Sequence, residues 1–176
     1  MKIAIIGYSG SGKSTLAQKL AEHYGIKALH LDSVHFLPGW VEKDLADEQR
    51  EVEAYLDAND SWVIDGNYTK LSYERRLREA DMIIMMLFNR FACLKRVTMR
   101  YLRFRNSSRP DMGEGCNEKL DAEFISWVLW RSRKKGPRSR YRATRERYAG
   151  KVTVVKNQKQ LDALYIKLEE EQRHKA

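Results

Sequence analysis

Five short apolar runs recur along the chain, and most of them are continuous rather than alternating with polar residues. Continuous, partly β-branched runs of this length are typical of strands buried on both faces of a sheet. Helical patterns lie between the runs, and this alternation predicts an α/β fold with a parallel sheet and right-handed crossovers. The predicted strands are KIAIIG (2–7), IKALHLD (26–32), SWVIDG (61–66), DMIIMMLF (81–88) and KVTVVKN (151–157).

The regular alternation breaks after residue 90, where the chain becomes helical, basic and Trp-containing until residue 150. An insertion of this length in a compact sheet fold is typical of a lid or a binding element. One loop-like section, RNSSRPDMGEGCNEK (105–119), interrupts it, and we interpret WVLW (127–130) as a packing face. We therefore predict a single domain over 1–176, with a lid over about 101–142 and a charged final helix from residue 158.

Positive charge is concentrated in this insertion. The whole chain carries a formal net charge of +9, and residues 90–147 contain seventeen Lys and Arg against six Asp and Glu. Such a concentration favours a polyanionic partner, and both a nucleotide triphosphate and nucleic acid qualify.

The cysteines and the apolar runs indicate the compartment. Cys93 and Cys116 are too few and too far apart for a disulfide framework or a zinc site, so we expect buried free thiols. The chain does not open on a secretory signal, and its longest apolar run is far shorter than the ~20 residues that span a bilayer. We therefore expect a cytoplasmic protein with no membrane partner, whereas the sequence leaves the oligomeric state open.

The junction of the first predicted strand and the first predicted helix carries a specific motif, G-x-x-x-x-G-K-[ST], which begins at Gly7. Small residues let successive backbone N–H groups point at one phosphate, and the following helix directs its positive end at the same anion. The lysine then reaches the β- and γ-phosphates of ATP, and the hydroxyl after it binds Mg²⁺. The predicted ATP-binding residues of this loop are Gly7, Ser9, Gly10, Ser11, Gly12, Lys13, Ser14 and Thr15.

A phosphate loop alone does not define the reaction, since GTPases, ATPase motors and small-molecule kinases share it. The chain has no N-K-x-D element that would read a guanine base, and KNQK (156–159) does not supply one. Motor ATPases are usually longer and assemble around partner subunits. A short chain with a basic insertion before its last strand favours a kinase.

The chain resembles the adenylate kinase superfamily and, within it, the DNA topology modulation (FlaR-type) branch. The resemblance rests on GYSGSGKSTLA, LDSVHFLPGW, WVIDGNY, RPDMGEGCNEKLDAEFISWVLW and VVKNQKQLDAL, which together cover nearly the whole chain. It implies a P-loop NTPase fold whose five-stranded parallel sheet has the order 2-3-1-4-5. It also implies that Asp32 and Asp65 lie at the carboxyl ends of the second and third strands, where open α/β sheets bind ligands.

The resemblance assigns roles to both carboxylates. Asp32 matches the aspartate that faces the acceptor and orients or deprotonates its hydroxyl, and Asp65 matches the carboxylate that holds Mg²⁺ through water, next to Ser14. Nucleotide monophosphate kinases follow the DG of this carboxylate with a Pro-Arg pair, whereas this chain has DGNYT, which does not clamp a phosphate. The candidate substrate-binding residues are Asp32, His35, Trp40, Asn67 and Tyr68, with Phe36 nearby.

The basic insertion offers arginines to the phosphates. Arg96 and Arg100 match the spacing of the arginines that flank ATP in adenylate kinases. A closing lid could also stabilise the charge of the transferring phosphate and exclude water, although a solvated basic helix face is the alternative for each arginine. The candidate catalytic residues are Lys13, Asp32, Asp65, Arg131 and Arg138.

The predicted activity is transfer of the γ-phosphoryl group of MgATP to a small acceptor, such as a nucleoside, a nucleotide or another metabolite. The alternative is a nucleotide-dependent regulator that binds DNA or RNA, since basic residues interleaved with Trp and Tyr also bind nucleic acid. Nucleic acid is the second choice of partner, because we identify no helix-turn-helix, zinc-finger or RNA-binding signature in the sequence.

Overall fold

The computed structural model describes residues 1–105, 112 and 115–173. Within these residues the strands are β1 (Lys2–Gly7), β2 (Lys27–His30), β3 (Phe36–Leu37), β4 (Val41–Glu42), β5 (Trp62–Asp65), β6 (Met82–Met86) and β7 (Val152–Val155). The helices are α1 (Lys13–Tyr24), α2 (Leu31–His35), α3 (Leu45–Ala58), α4 (Tyr73–Glu79), α5 (Arg90–Phe104), α6 (Ala122–Leu129), α7 (Lys135–Arg147) and α8 (Gln158–Arg173). Most of the predicted loop 105–119 lies outside the described residues.

One parallel sheet, flanked by helices, has the strand order β2-β5-β1-β6-β7. β3 and β4 form a separate antiparallel hairpin that the sequence analysis did not predict. The hairpin changes the strand numbers relative to the predicted order 2-3-1-4-5; by position in the chain, the parallel strands stand as second, third, first, fourth and fifth. The register pairs Asp65 with both Ile5 and His30, so the carboxyl ends of three strands meet at one edge.

The second predicted strand is shorter than expected. β2 ends at His30, and the chain turns at once into α2, so Asp32 lies on a short helix beyond the strand. The Ser33 hydroxyl donates to the His30 carbonyl oxygen over 2.7 Å, and a side chain bonded to local backbone competes with further strand pairing. The buried side chains of Leu31 and Val34 hold this turn against the core.

The core lies along the central strands, whose apolar runs are buried throughout. Residues 3–6 of β1 and residues 83–86 of β6 have no exposed surface, and Trp62 of β5 is equally buried. Leu16 and Leu20 bring the apolar face of α1 into the same core. Each large side chain of this kind stabilises the fold by about 1.5–3 kcal/mol through its burial. The runs are continuous rather than alternating because the central strands are buried on both faces of the sheet.

The insertion contains helices α5, α6 and α7, and it differs from expectation at WVLW. Val128 and Leu129 are buried, but Trp127 and Trp130 are 45% and 55% exposed. The interpretation of WVLW as a packing face is therefore wrong for its two tryptophans, because Trp127 lies on the exposed side of α6 and Trp130 lies just beyond the end of that helix. Of the helices that the structure describes, none is both long and apolar enough to cross a bilayer.

Candidate functional site

The loop between β1 and α1 is a tight turn that excludes side chains at two points. Gly7 has a φ of 142°, and a Cβ atom there would lie 2.2 Å from the Met86 carbonyl oxygen. Gly12 has a φ of 93°, and its Cβ would lie 2.9 Å from a guanidinium nitrogen of Arg96. Both backbone conformations favour glycine, and at Gly7 the Met86 backbone also leaves no room for a Cβ atom.

The amino end of α1 lies at this loop without a side-chain cap. Gly12 is the N-cap residue, and no acidic residue lies in the first turn. The Oγ atom of the fully buried Ser11 has no hydrogen-bond partner within the described part of the chain. Free N–H groups, the helix dipole and a buried unpaired hydroxyl suit an anion. Ser9 and Gly10 are half-buried in the same loop, and Thr15 is exposed on α1.

Lys13 is the first residue of α1. Its Nζ atom donates to the Tyr8 carbonyl oxygen over 3.2 Å. Among the described residues, Lys13 forms no ion pair with a carboxylate, although the charges of Asp32 and Asp65 both raise its pKa. Burial has the larger effect and lowers the pKa of Lys13. The ammonium group thus lies near two carboxylates without pairing with either, as a phosphate-binding lysine requires.

Asp65 ends β5 and is 4% exposed. Its Oδ2 atom accepts a hydrogen bond from Ser14 Oγ over 3.0 Å, and its Oδ1 atom lies 2.5 Å from His30 Nδ1. His30 ends the adjacent strand β2, so the sheet register brings the imidazole and the carboxylate together. His30 was not among the predicted site residues. Its position near the end of a predicted apolar strand could have indicated it.

The oxygen atoms of Ser14 and Asp65 fit a magnesium ion rather than a metal held by protein alone. Within residues 1–105, 112 and 115–173, no group of three or more His, Cys, Asp or Glu side chains could hold a metal ion. Mg²⁺ usually takes one or two protein oxygens and fills its other positions with water and phosphate oxygens.

Asp32 forms a cluster with two predicted substrate-binding residues. Its Oδ1 atom accepts a hydrogen bond from the Tyr68 hydroxyl over 2.8 Å. The ring of His35 lies 4.8 Å from the ring of Tyr68, and His35 Nδ1 lies 2.8 Å from Oε1 of the buried Glu48. Burial raises the pKa of Tyr68, and the charge of Asp32 raises it further, so the phenol stays protonated as a donor.

Trp40 and Asn67 bond to backbone groups. Trp40 Nε1 donates to the Asn117 carbonyl oxygen over 2.7 Å, which joins the hairpin to the segment before α6. The Asn67 side chain forms two hydrogen bonds with Gly7: it accepts from the backbone N–H over 2.9 Å and donates to the carbonyl oxygen. Both ends of the Asn67 amide thus hold the start of the loop between β1 and α1.

Arg76 supports the segment that carries Asn67 and Tyr68. It is fully buried and donates to the carbonyl oxygens of Leu71 and Tyr68 over 2.9 Å and 3.0 Å. Burial lowers the pKa of Arg76 to about 10. Arg76 was not predicted as a site residue, because the sequence around it is also typical of an exposed arginine on a helix.

Arg96 and Arg100 of α5 lie beside the loop. Arg96 donates to the Ser11 carbonyl oxygen over 2.5 Å. Arg100 forms an ion pair with the buried Glu118, with nitrogen–oxygen distances of 2.6 Å and 2.8 Å. The charge of Arg100 also lowers the pKa of Lys13.

Arg133, rather than Arg131 or Arg138, reaches the loop from the lid. Arg131 and Arg138 are exposed, and Arg131 pairs with the exposed Glu123. The guanidinium carbon of Arg133 lies 3.8 Å from the centroid of the Tyr8 ring. The structure thus does not bring the two predicted lid arginines to the site. The basic run offers several arginines, and only the packing of the insertion decides which of them turns inward.

A groove of about 240 Å³ continues from the loop. The Lys19 ammonium lies 4.0 Å from the centroid of the Tyr165 ring at its side. A larger hollow of about 410 Å³ contains Glu53 and Ser72 and includes none of the loop residues. The groove beside the loop is lined by Gly12, Thr15, Lys19, Arg96, Gln158, Leu161 and Tyr165.

Comparisons with known proteins do not name a family. No protein-family model matches the chain, and no curated protein matches it. Solved structures do match, among them the crystal structure of an uncharacterized protein from Eubacterium ventriosum ATCC 27560. The two are 28% identical with a TM-score of 0.39, and the match covers 57% of this chain and 62% of that chain, less than two thirds of its length.

Proposed function

We propose that this protein has a P-loop NTPase fold related to adenylate kinases and transfers the γ-phosphoryl group of MgATP to the hydroxyl of a small acceptor. One observation carries the proposal: the Lys13 ammonium, which pairs with no carboxylate of the described residues, lies at the start of α1, near Asp32 and near Asp65, which bonds to Ser14. An anion at this position would meet a cation, free N–H groups and a metal-binding pair at once.

The donor side of the site fits a nucleotide. The loop amides and Lys13 would hold the β- and γ-phosphates, and the groove lined by Arg96, Gln158 and Tyr165 would take the base. Ser14 and Asp65 would hold Mg²⁺, which when bound neutralises charge on the phosphate oxygens.

The acceptor side fits Asp32 as the residue that handles the hydroxyl. An acceptor hydroxyl that takes the place of the Tyr68 hydroxyl would donate its hydrogen bond to Asp32. The hydroxyl oxygen then attacks the γ-phosphorus, the bond from that phosphorus to the β–γ bridging oxygen breaks, and ADP leaves. The hydroxyl proton passes to Asp32, which is close enough to receive it in the transition state.

The variant Lys13→Ala tests the donor site. We expect the heat of MgATP binding in calorimetry to disappear and acceptor-dependent ADP release to fall by about 100-fold or more, because the variant loses the ammonium group at the uncapped start of α1. Lys27→Ala removes an exposed lysine of β2 and serves as the matched control. Normal MgATP binding by Lys13→Ala would contradict the proposal.

A nucleotide-dependent nucleic-acid-binding protein is the second candidate, and the exposed Trp127 and Trp130 favour it. Exposed Arg131, Lys134 and Lys135 follow them in the chain, and bases stack on aromatic rings beside cations. A gel shift on single-stranded DNA at two salt concentrations tests this candidate. The nucleic-acid-binding candidate would be supported by a gel shift that weakens steeply with salt and is lost in a double Trp127→Ala, Trp130→Ala variant. It would be favoured over the kinase if the unaltered chain also hydrolysed ATP only slowly.

A further inference from the structure

We propose that the acceptor is a ring-bearing alcohol without a phosphate group, such as a nucleoside, and that phosphomonoesters are rejected. This inference rests on the proposed kinase function and narrows its substrate class. Its basis is a separation of charge across the crevice: the cations surround the phosphate loop, and carboxylates surround the acceptor side.

The acceptor side holds three carboxylates around one phenol. The charges of Asp32, Glu48 and Glu42 all raise the pKa of Tyr68. Glu48 is 2% exposed, and Asp32 bonds directly to the Tyr68 hydroxyl. A phosphate dianion next to this cluster would be repelled by like charges at short range, whereas a neutral or cationic group would not.

Among the described residues, the basic side chains beside this cluster bond to carboxylates, and Lys13 donates to the Tyr8 carbonyl oxygen of the β1–α1 loop. His35 lies between two of the carboxylates, with Nδ1 2.8 Å from Glu48 and Nε2 3.7 Å from Glu42. Lys43 pairs with Glu51 over 2.5 Å.

The nearby guanidinium groups are also engaged. The buried Arg76 donates to backbone carbonyl oxygens, and Arg100 pairs with Glu118. The exposed Lys119 ammonium lies 5.6 Å from the centroid of the Trp40 ring, and a single exposed lysine does not form the bidentate fork that recognises a phosphomonoester.

Aromatic rings next to Asp32 suit a flat ring in the acceptor. The His35 ring lies 4.8 Å from Tyr68 and 4.5 Å from Phe36, and Phe36 lies 5.1 Å from Trp40. Phe36 and Trp40 remain partly exposed, so their surfaces can contact a ligand. The Gly39 N–H donates to the Gly115 carbonyl oxygen over 3.1 Å, which holds the tip of the aromatic hairpin against the segment before α6.

The test compares two matched pools of acceptors with the full chain and MgATP. One pool contains the five common nucleosides and hydroxymethyl heterocycles, and the other contains their phosphate monoesters. We expect ADP release above the acceptor-free rate to be at least about tenfold greater with the first pool, since like-charge juxtaposition opposes binding of the second. Mass spectrometry should find products that carry one added phosphate. Greater release with the phosphate monoesters, or no release with either pool, would overturn the inference.

Calorimetry with MgATP alone separates this inference from the proposed function. A chain that binds MgATP but prefers phosphate monoesters remains a kinase with a different acceptor class. A chain that gives no heat with MgATP overturns the kinase proposal, and the inference falls with it.

Charge variants test the cause of the preference. Glu48→Gln and Glu42→Gln each remove one carboxylate near Tyr68, and we expect each to lower the preference for the unphosphorylated pool by about threefold or more while the Kd for MgATP is unchanged. Glu42 is exposed, so its variant keeps the test valid if Glu48→Gln fails to fold. Asp47→Asn, also on α3, is the control with the same charge change, since its partner is the exposed Arg50. An equal preference in Glu42→Gln, Asp47→Asn and the unaltered chain would overturn the charge explanation.

Discussion

Lys13 carries a cost to folding that its proposed role in binding phosphate would explain. Folding removes water from its ammonium group and supplies one backbone carbonyl oxygen in return. Asp32 and Asp65 reduce this cost through their charge, but they are bonded to Tyr68 and Ser14 respectively. A buried cation without an ion pair is unfavourable unless a ligand supplies the opposite charge. The same residue should therefore weaken the free protein and stabilise its complex with an anion.

We expect Lys13→Met to raise the Tm of the ligand-free protein by roughly 2–4 °C, which corresponds to about 1 kcal/mol for a chain of this size. Because burial lowers the pKa of Lys13, the unfolded chain binds the proton more tightly than the folded chain. The stability of the unaltered protein should thus rise with pH between the lowered pKa of Lys13 and 10.5. The difference in Tm between Lys13→Met and the unaltered protein should narrow over the same pH range. Thermal unfolding at a series of pH values up to 10.5 measures this gap.

Lys27→Met is the control for this prediction, because Lys27 is an exposed lysine of β2 and should leave the Tm unchanged. A Lys13→Met protein that melts below the unaltered chain at neutral pH would show that the ammonium group stabilises the free fold.

The loop depends on two elements that are distant in the chain. β1 ends at Gly7, and the side chain of Asn67, which follows β5, forms two hydrogen bonds with that glycine. The buried Arg76 then holds the carbonyl oxygen of Tyr68 in the same segment. The path of the β1–α1 loop is therefore set by the segment after β5 as well as by the glycines of the loop.

Asn67→Asp tests this coupling, because it keeps the shape of the side chain but replaces the amide donor by a carboxylate oxygen that faces the Gly7 carbonyl. We expect stability to fall by about 1–3 kcal/mol and the affinity for MgATP to fall by about tenfold or more. Urea unfolding and calorimetry measure the two effects.

The matched control is Asn59→Asp, which removes an amide donor that Asn59 gives to the Tyr55 carbonyl oxygen at the end of α3. We expect Asn59→Asp to lower stability and to leave the affinity for MgATP unchanged. Equal MgATP affinity in Asn67→Asp and the unaltered protein would argue against the coupling.

Across the molecule, charge and packing connect the insertion to the sheet edge. Arg133 stacks on Tyr8 of the loop and donates to the Phe88 carbonyl oxygen over 3.0 Å. The Tyr8 ring in turn meets Tyr141 of α7 edge to face, with centroids 5.4 Å apart. The basic insertion thus packs on the β1–α1 loop through Arg133, through two tyrosines and through Arg96, which donates to the Ser11 carbonyl oxygen, whereas Arg131 and Arg138 are exposed.

Arg133→Met should release this contact between the lid and the loop. We expect faster hydrogen exchange across α7 by about tenfold, since the variant loses the stacking and a buried donor that together are worth about 1–3 kcal/mol. Arg131→Met, which loses an exposed pair with Glu123, should change exchange in α7 by less than about twofold. Equal exchange in the two variants would mean that Arg133 does not hold the lid.

Local pattern was enough for the sheet and the loop, because continuous apolar runs require burial on both faces and the spacing from Gly7 to Ser14 depends on neighbouring residues alone. The parallel sheet was therefore predictable, as was Asp65 at the end of a strand, whereas Asp32 lies on the short helix after β2. The choice of Arg133 over Arg131, the exposure of Trp127 and Trp130 and the contact of His30 with Asp65 were not. Each of these depends on helix phase or strand register between segments far apart in the chain, which only packing of the complete fold establishes.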